Sequence, residues 1–319
     1  MTLPAALTLT HRVADAAVPH LRQAVLDAVG LARRRVDGVR VAVAWANGTV
    51  HGVLASIPWD LLGADLLGAV TPTLRRTLVD AALAHVPDLP VAKAHRHRAR
   101  EAALAADLGL SFTQTNPRAV AWAEREAARL VTRVTGETRQ AIREIVVRMF
   151  TDGMPPAEGA RLIEAYLGLT PRDAVALDNL RRAWTADGVA NVAERVARQA
   201  ARYVRLRART IARTESMAAS NAGQRELWAQ AMDVGALDPG AARQTWLLTP
   251  DELLCPNCAP VPAMNAAGVP LGGMFATPLG PVEGPILHPN CRCTTALVFA
   301  DTAGDFQPPR QKIPLGVLR

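Results

Sequence analysis

Every cysteine in the 319-residue chain lies between positions 255 and 293, in two short clusters. Cys255 and Cys258 sit in LLCPNCAP; Cys291 and Cys293 sit in PILHPNCRC, with His288 beside them. This confinement constrains the fold more than any other feature. Zinc needs four soft or borderline ligands held tetrahedrally, usually as two short-spaced pairs that the fold brings together. Cys255 and Cys258 form a C-x-x-C pair with Pro256 and Asn257 in the turn, His288 and Cys291 an H-x-x-C pair, and Cys291 and Cys293 a C-x-C pair. Five groups compete for four places. Cys255, Cys258 and Cys291 are expected to bind, with His288 or Cys293 completing the shell and the spare group behind the ligands or guarding the site. A shell of three or four cysteines is expected to be closed, so Zn2+ is read as structural, stapling a loop-rich segment too small to build its own core.

Two other readings compete for the same residues. CPNC resembles a thiol–disulfide exchange centre, but that chemistry wants its first cysteine at a helix N-terminus in a βαβ setting, and this motif lies in a Pro-rich region. Structural disulfides need an oxidising compartment. The opening MTLPAALTLTHRV has no basic start and no sustained apolar core, so no secretory signal is read. Apolar runs are cut by Asp, Arg or Pro, so no membrane span is expected. The expectation is a soluble chain in a reducing cytoplasm, where clustered cysteines point to metal.

Ahead of that window the texture is helical. Half of the chain is apolar but only 4% is aromatic, and a share built from Ala, Val and Leu favours closely packed helices over a sandwich. In the first stretch Val13, Ala17, Leu21, Val25 and Ala28 recur at helical spacing and the run stops near Gly38. VRVAVAWANGTVHGVLASI fits both a hairpin turned at Asn47-Gly48 and a helical face; helix is the expectation. Asn116 before Pro117, and Thr170-Pro171-Arg172-Asp173, read as helix starts. His95, Arg96, His97 and Arg98 read as a solvated basic connector. From about residue 238 Pro and Gly become frequent, and TWLL (245–248) and TTALVF (294–299) read as strands flanking the cysteine window. The expected fold is mainly α: an N-terminal helical region (1–100), a helical body (110–237), a small α+β zinc-stapled module (238–300) and an extended tail (301–319).

The net charge is +7, which attracts anionic partners. Lys93 and Lys312 are the only lysines, leaving 34 of the 36 basic residues as arginine; so strong a bias is partly compositional. More specific is a stripe. Arg195, Arg198, Arg202, Arg205 and Arg209 recur every three or four residues, on one helix face, with Val192, Val196, Tyr203 and Leu206 expected on the buried side. Such a row can bind a phosphate backbone without reading bases, or an acidic protein surface; a solvated helix face is the plainer reading.

Taken in order, IARTESMAASNAGQ, Trp228, TWLLTPDELLCPNC, a Gly-rich loop and GPILHPNCRC resemble the phage Mu F-like head morphogenesis family of minor head proteins, and NPRAVAWAEREAARLV resembles the start of that family's body. The resemblance spans roughly residues 110–300. It implies a structural, non-enzymatic protein of a tailed phage, present in few copies in the virion head interior or portal region, and in host cytoplasm during assembly. Its partners would be the portal protein, the major capsid or scaffold protein, and packaged DNA, with no membrane. The family pattern maps onto Arg213, Thr214, Glu215 and Asn221, and onto the five Cys/His positions. Some relatives carry a toxin domain beyond the last motif; with 26 residues after Cys293, none is expected here. A zinc-dependent nuclease using Glu283, Asp251 or His288, and a stand-alone zinc-ribbon DNA binder, are the alternatives.

Overall fold

Short polar side chains set where the helices begin. In the computed structural model, which describes residues 3–91, 101–249 and 254–300, the Asp37 carboxylate accepts from the amides of Val39 and Arg40 and starts α2 (Gly38–Ala46) after the long α1 (Leu3–Arg34). Thr49 caps α3 (Val50–Ala55). The ambiguous VRVAVAWANGTVHGVLASI segment is therefore two helices broken at Gly48. After α4 (Trp59–His85), a 3-10 turn at Val86–Asp88 and α5 (Glu101–Asp107), Asn116 accepts from Arg118 and Ala119 to start α6 (Pro117–Thr151). Gly153, at φ 66, turns the chain out of α6. Next come α7 (Pro156–Tyr166), α8 (Pro171–Ala186), capped by Thr170 on the Asp173 amide, and the 42-residue α9 (Val192–Asp233).

Among the described residues the chain is thus nine helices of six residues or more, followed by a small sheet. Strands β1 (Ala242–Leu247), β2 (Val269–Pro270) and β3 (Thr294–Phe299) form an antiparallel sheet in the order β2-β1-β3, with Trp246 opposite Thr295 and a single-turn α10 (Val261–Met264) between β1 and β2. The mainly helical fold with a small C-terminal sheet is as the sequence reads. The His95–Arg98 connector, Asp251 and the 301–319 tail lie outside the described residues.

The chain divides into two units, each drawn from segments that alternate along the sequence. One comprises residues 20–72 and 124–210, the other 1–19, 73–123 and 211–319. The reason lies in helix length: α1, α4, α6 and α9 are 27 to 42 residues long and each contributes to both units.

In the 20–72/124–210 unit the core gathers Trp45, Ile142, Ile145, Val146, Ile163, Tyr166, Leu177 and Val196. Trp45 packs edge-on to Phe150 at 4.6 Å and donates its indole N–H to the Met154 carbonyl at 3.1 Å. Two buried charged groups here are paired. The Asp178 carboxylate, fully buried, meets Arg148, Arg181 and Arg182 at 3.3, 2.9 and 3.1 Å. Arg207 donates to Glu137 at 2.6 Å and to the Gly168 and Leu169 carbonyls at 2.9 and 3.2 Å. Burial pushes its pKa down while the Glu137 carboxylate opposes the shift.

In the other unit Leu78, Val79, Ala82, Leu104, Leu227 and Trp228 form the helical core. Its helices approach to backbone contact: a Cβ on Gly223 would lie 2.1 Å from the Leu78 carbonyl oxygen. The C-terminal module adds a second cluster, with Trp246 edge-on to Phe275 at 5.3 Å and Val261, Val269, Cys258, Cys291 and Cys293 around them.

The reading that no apolar run is long enough for a membrane is corrected on length. The helical stretch Val50–Asp88 reaches a mean hydropathy of 1.5 over an 18-residue window. One stripe of it packs inside the protein: Leu62, Leu66, Val70, Leu74 and Leu78, one turn apart, are each 2% exposed or less, whereas Leu61 and Leu67 are exposed.

Candidate metal centre

The C-P-N-C turn is compact because Cys255 closes it twice: its carbonyl accepts from the amides of Cys258 and Ala259, both at 3.1 Å, and its sulfur accepts from the Cys258 amide at 3.3 Å. A second turn, in which the Cys291 amide donates to the His288 carbonyl at 3.1 Å, presents His288 and Cys291 to it. The structure brings all five predicted ligands together as two overlapping trios. Cys255, Cys258 and His288 form one, and Cys258, Cys291 and Cys293 the other, with ligand atoms in each trio within 4.8 Å of one another. Cys258 is the shared member. The four cysteines are free thiols, which leaves every sulfur available to a metal.

Two distances test whether the residues fit an ion. With metal–sulfur bonds of about 2.3 Å, the edge of a tetrahedron is about 3.8 Å. Cys258 Sγ and Cys291 Sγ are 3.8 Å apart. His288 Nε2 lies 3.3 Å from Cys258 Sγ, slightly inside a sulfur–nitrogen edge, which is about 3.6 Å. His288 is also oriented for the task. Its Nδ1 lies 2.9 Å from the Pro289 carbonyl, an acceptor only, so Nδ1 carries the proton and Nε2 turns its lone pair toward the cysteines. The cleft over the cluster has a volume of about 20 Å³, room for one ion or water. It is lined by Thr249, Leu254, Asn290 and Arg292 besides four of the candidate ligands, and by no carboxylate among the described residues. Glu283 lines a different cavity, with Trp122 and Trp228. The Cys/His cluster can therefore hold a metal ion.

Crowding of the sulfurs shapes their protonation. Hydrogen bonds from Cys258 and then Cys293 hold the Cys291 thiol down to about 2, against the cost of burial. The same contacts, with Cys291 first, push Cys258 far above the ordinary thiol range. Cys293 is pushed up to about 12: the bond from Cys258 lowers it, and the neighbouring Cys291 and burial outweigh that. One thiolate shared between two thiols is what a divalent cation converts to a full set of thiolate ligands, releasing protons.

Residues far away in sequence hold the ligand loop. Asn221, fully buried on α9, donates to the Cys293 carbonyl at 3.2 Å and accepts from the Thr294 hydroxyl at 2.7 Å. Thr214, two turns earlier, accepts from the amide of Asn290 at 2.9 Å. Asn290 has φ 59, so this bond fixes a left-handed residue at the head of the loop. Glu215 is buried, and Arg213 lines a cavity beside the loop. From α1, His11 Nε2 lies 2.8 Å from the Arg292 carbonyl, which also accepts from Thr249 at 2.8 Å. Thr294 reaches Thr10, and Thr10 lies 3.2 Å from the buried His85, whose Nδ1 meets Asp88 at 2.9 Å. Thr10, His11, His85, Thr249 and Thr294 were not singled out in the sequence, where nothing local marks them.

The arginine stripe is placed as read: Arg195, Arg198, Arg202, Arg205 and Arg209 are all exposed on α9. Arg198 pairs with Glu194 at 3.5 Å, an exposed contact of little energetic weight. One expectation is corrected. Leu206 is 60% exposed, because the buried edge of this segment runs through Val196, Ala200, Val204 and Ala208 at intervals of four, and residue 206 falls about 200° around the helix from 204.

The chain matches no family model, no curated protein and no solved structure.

Proposed function

We propose that the chain is a minor head protein of a tailed phage that acts at the portal or procapsid interior in head assembly and in DNA packaging or delivery. The observation that carries this reading is where the residues of the Mu F-like resemblance lie. Thr214 and Asn221, from the R-T-E helix, hydrogen-bond the backbone of the H-P-N-C-R-C loop, whose His288 and Cys291 face the C-P-N-C turn. Segments that recur in order in that family thus form one physical unit in this protein.

In this reading the ion is Zn2+ and its role is structural. The donor set is soft, and Cys258, Cys291 and Cys293 are 3% exposed or less, which suits a closed site. Stapling the loop gives the small sheet a fixed edge. The exposed stripe arginines supply the charge that contacts packaged DNA or an acidic surface of the portal, capsid or scaffold protein.

The test is quantitative mass spectrometry of purified virions and empty procapsids, normalised to the portal protein. A low, fixed ratio to portal in both is expected. Absence from both would overturn the assignment, and the alternative, a zinc-dependent nucleic-acid-binding protein or nuclease, would take its place.

A further inference from the structure

Beside the metal loop, within the unit that carries it, lies a cavity of about 150 Å³. Its lining comes from three places: His11 and Asp15 on α1, Arg213 on α9, and Asn290 and Arg292 on the ligand loop. Three properties define what it can hold. The volume accommodates a tetrahedral oxyanion and little more. The lining is mostly polar: Arg213, Arg292, Asp15, His11 and Asn290 outweigh Val18 and Met217. Arg213 is half-buried, and among the described residues its guanidinium makes no hydrogen bond or ion pair. A guanidinium drawn out of water without a carboxylate partner is held for a ligand or left at a cost.

We propose that this cavity binds a single phosphodiester group of a nucleic-acid strand. A phosphodiester is a monoanion with two free oxygens, matching the planar fork that the Arg213 guanidinium offers. A phosphate monoester, closer to a dianion at neutral pH, would bring a second negative charge against Asp15. The loop side of the cavity is fixed in place: Asn290 is held through its amide by Thr214, and the Arg292 carbonyl is held by His11 and Thr249. Arg292 therefore projects from a backbone anchored on both sides, between two cysteines of the candidate metal centre. The choice of nucleic acid over another phosphodiester rests on the reading of this protein as a DNA-contacting head protein.

The experiment is fluorescence anisotropy with a labelled 12-base-pair duplex, across a salt series, on the zinc-loaded full chain. Arg213→Gln is expected to weaken binding several-fold and to lower the slope of log affinity against log salt by about one. Arg213→Lys, which keeps the charge, should retain most of the affinity. An Arg202→Ala/Arg205→Ala variant reports the stripe separately. Zinc content and thermal melting establish that each variant is folded. Unchanged affinity and slope in Arg213→Gln would overturn the proposal, as would a wild-type chain that binds no duplex. Loss of affinity for phosphatidylglycerol vesicles instead of the duplex would assign the cavity to a lipid headgroup and overturn it too. The head-protein assignment stands or falls on virion composition, so the two failures are distinguishable.

Discussion

Replacing Asn221 by alanine separates a positioning role from simple core packing. The Asn221 amide makes three buried bonds: to the Met217 carbonyl at 2.9 Å, to the Cys293 carbonyl at 3.2 Å, and from the Thr294 hydroxyl at 2.7 Å. Met217 lies inside α9, where the helix ladder also serves its carbonyl. Thr294 keeps Thr10 at 3.2 Å. The group left without its side-chain donor is the Cys293 carbonyl, at a cost of about 1–3 kcal/mol, and the vacated volume adds roughly 1 kcal/mol more. If that carbonyl is what holds the ligand loop, most of the loss falls on metal binding. A 10- to 100-fold fall in zinc affinity, about 1.4–2.8 kcal/mol, is then expected. Competition against a chromophoric chelator measures the affinity, and calorimetry of the metal-free and metal-loaded forms measures stability. A variant that melts several degrees lower yet binds zinc within about twofold of wild type would refute the positioning role.

Four further outcomes follow from the packing and the charges. Gly223→Ala places a Cβ 2.1 Å from the Leu78 carbonyl oxygen and should cost about 3 kcal/mol or more, whereas Gly136→Ala, with open space around it on α6, should stabilise by about 0.5–1 kcal/mol; urea unfolding of the pair checks both signs. Arg207→Met removes the donor from the Gly168 and Leu169 carbonyls and should destabilise by roughly 2–4 kcal/mol in the same assay. Tyr166 is fully buried, and its hydroxyl is pushed above 10.0 by burial first and by the Asp178 carboxylate second, with Arg181 opposing. The folded state therefore keeps a proton that the unfolded chain releases, and this stability, present below pH 10.0, is lost as pH rises beyond it; melts across that window should flatten in Tyr166→Phe. Zinc chelation should expose four thiols to Ellman's reagent where the loaded chain shows slow reaction, and should lower the melting temperature.

Local chemistry was legible in the sequence and long-range closure was not. The caps at Asn116 and Thr170 are written in adjacent residues, and the structure has them bonding the amides those positions dictate. The Cys/His cluster was legible for the same reason: C-x-x-C and H-x-x-C fix each pair within one turn, and only their meeting required the fold. Strand β2 was missed because it is two residues long and one of them is proline, leaving no alternation to detect. His11 and Arg292 are 281 positions apart, and Thr294 and Thr10 are 284 apart; no periodicity connects them. Leu206 misled because leucine at a near-helical spacing reads as core, while the buried edge is drawn by the smaller Ala200 and Ala208. Each of the four long helices is continuous in sequence yet serves two cores, which no local pattern marks.

A metal ion held by the Cys/His cluster is what would staple the C-terminal module. X-ray absorption at the zinc edge, on protein purified without added chelator and paired with elemental analysis, tests it most directly. One zinc per chain in a four-coordinate shell dominated by sulfur at about 2.3 Å is the predicted result. A chain that purifies folded with no stoichiometric metal, or a shell of oxygen ligands, would contradict it.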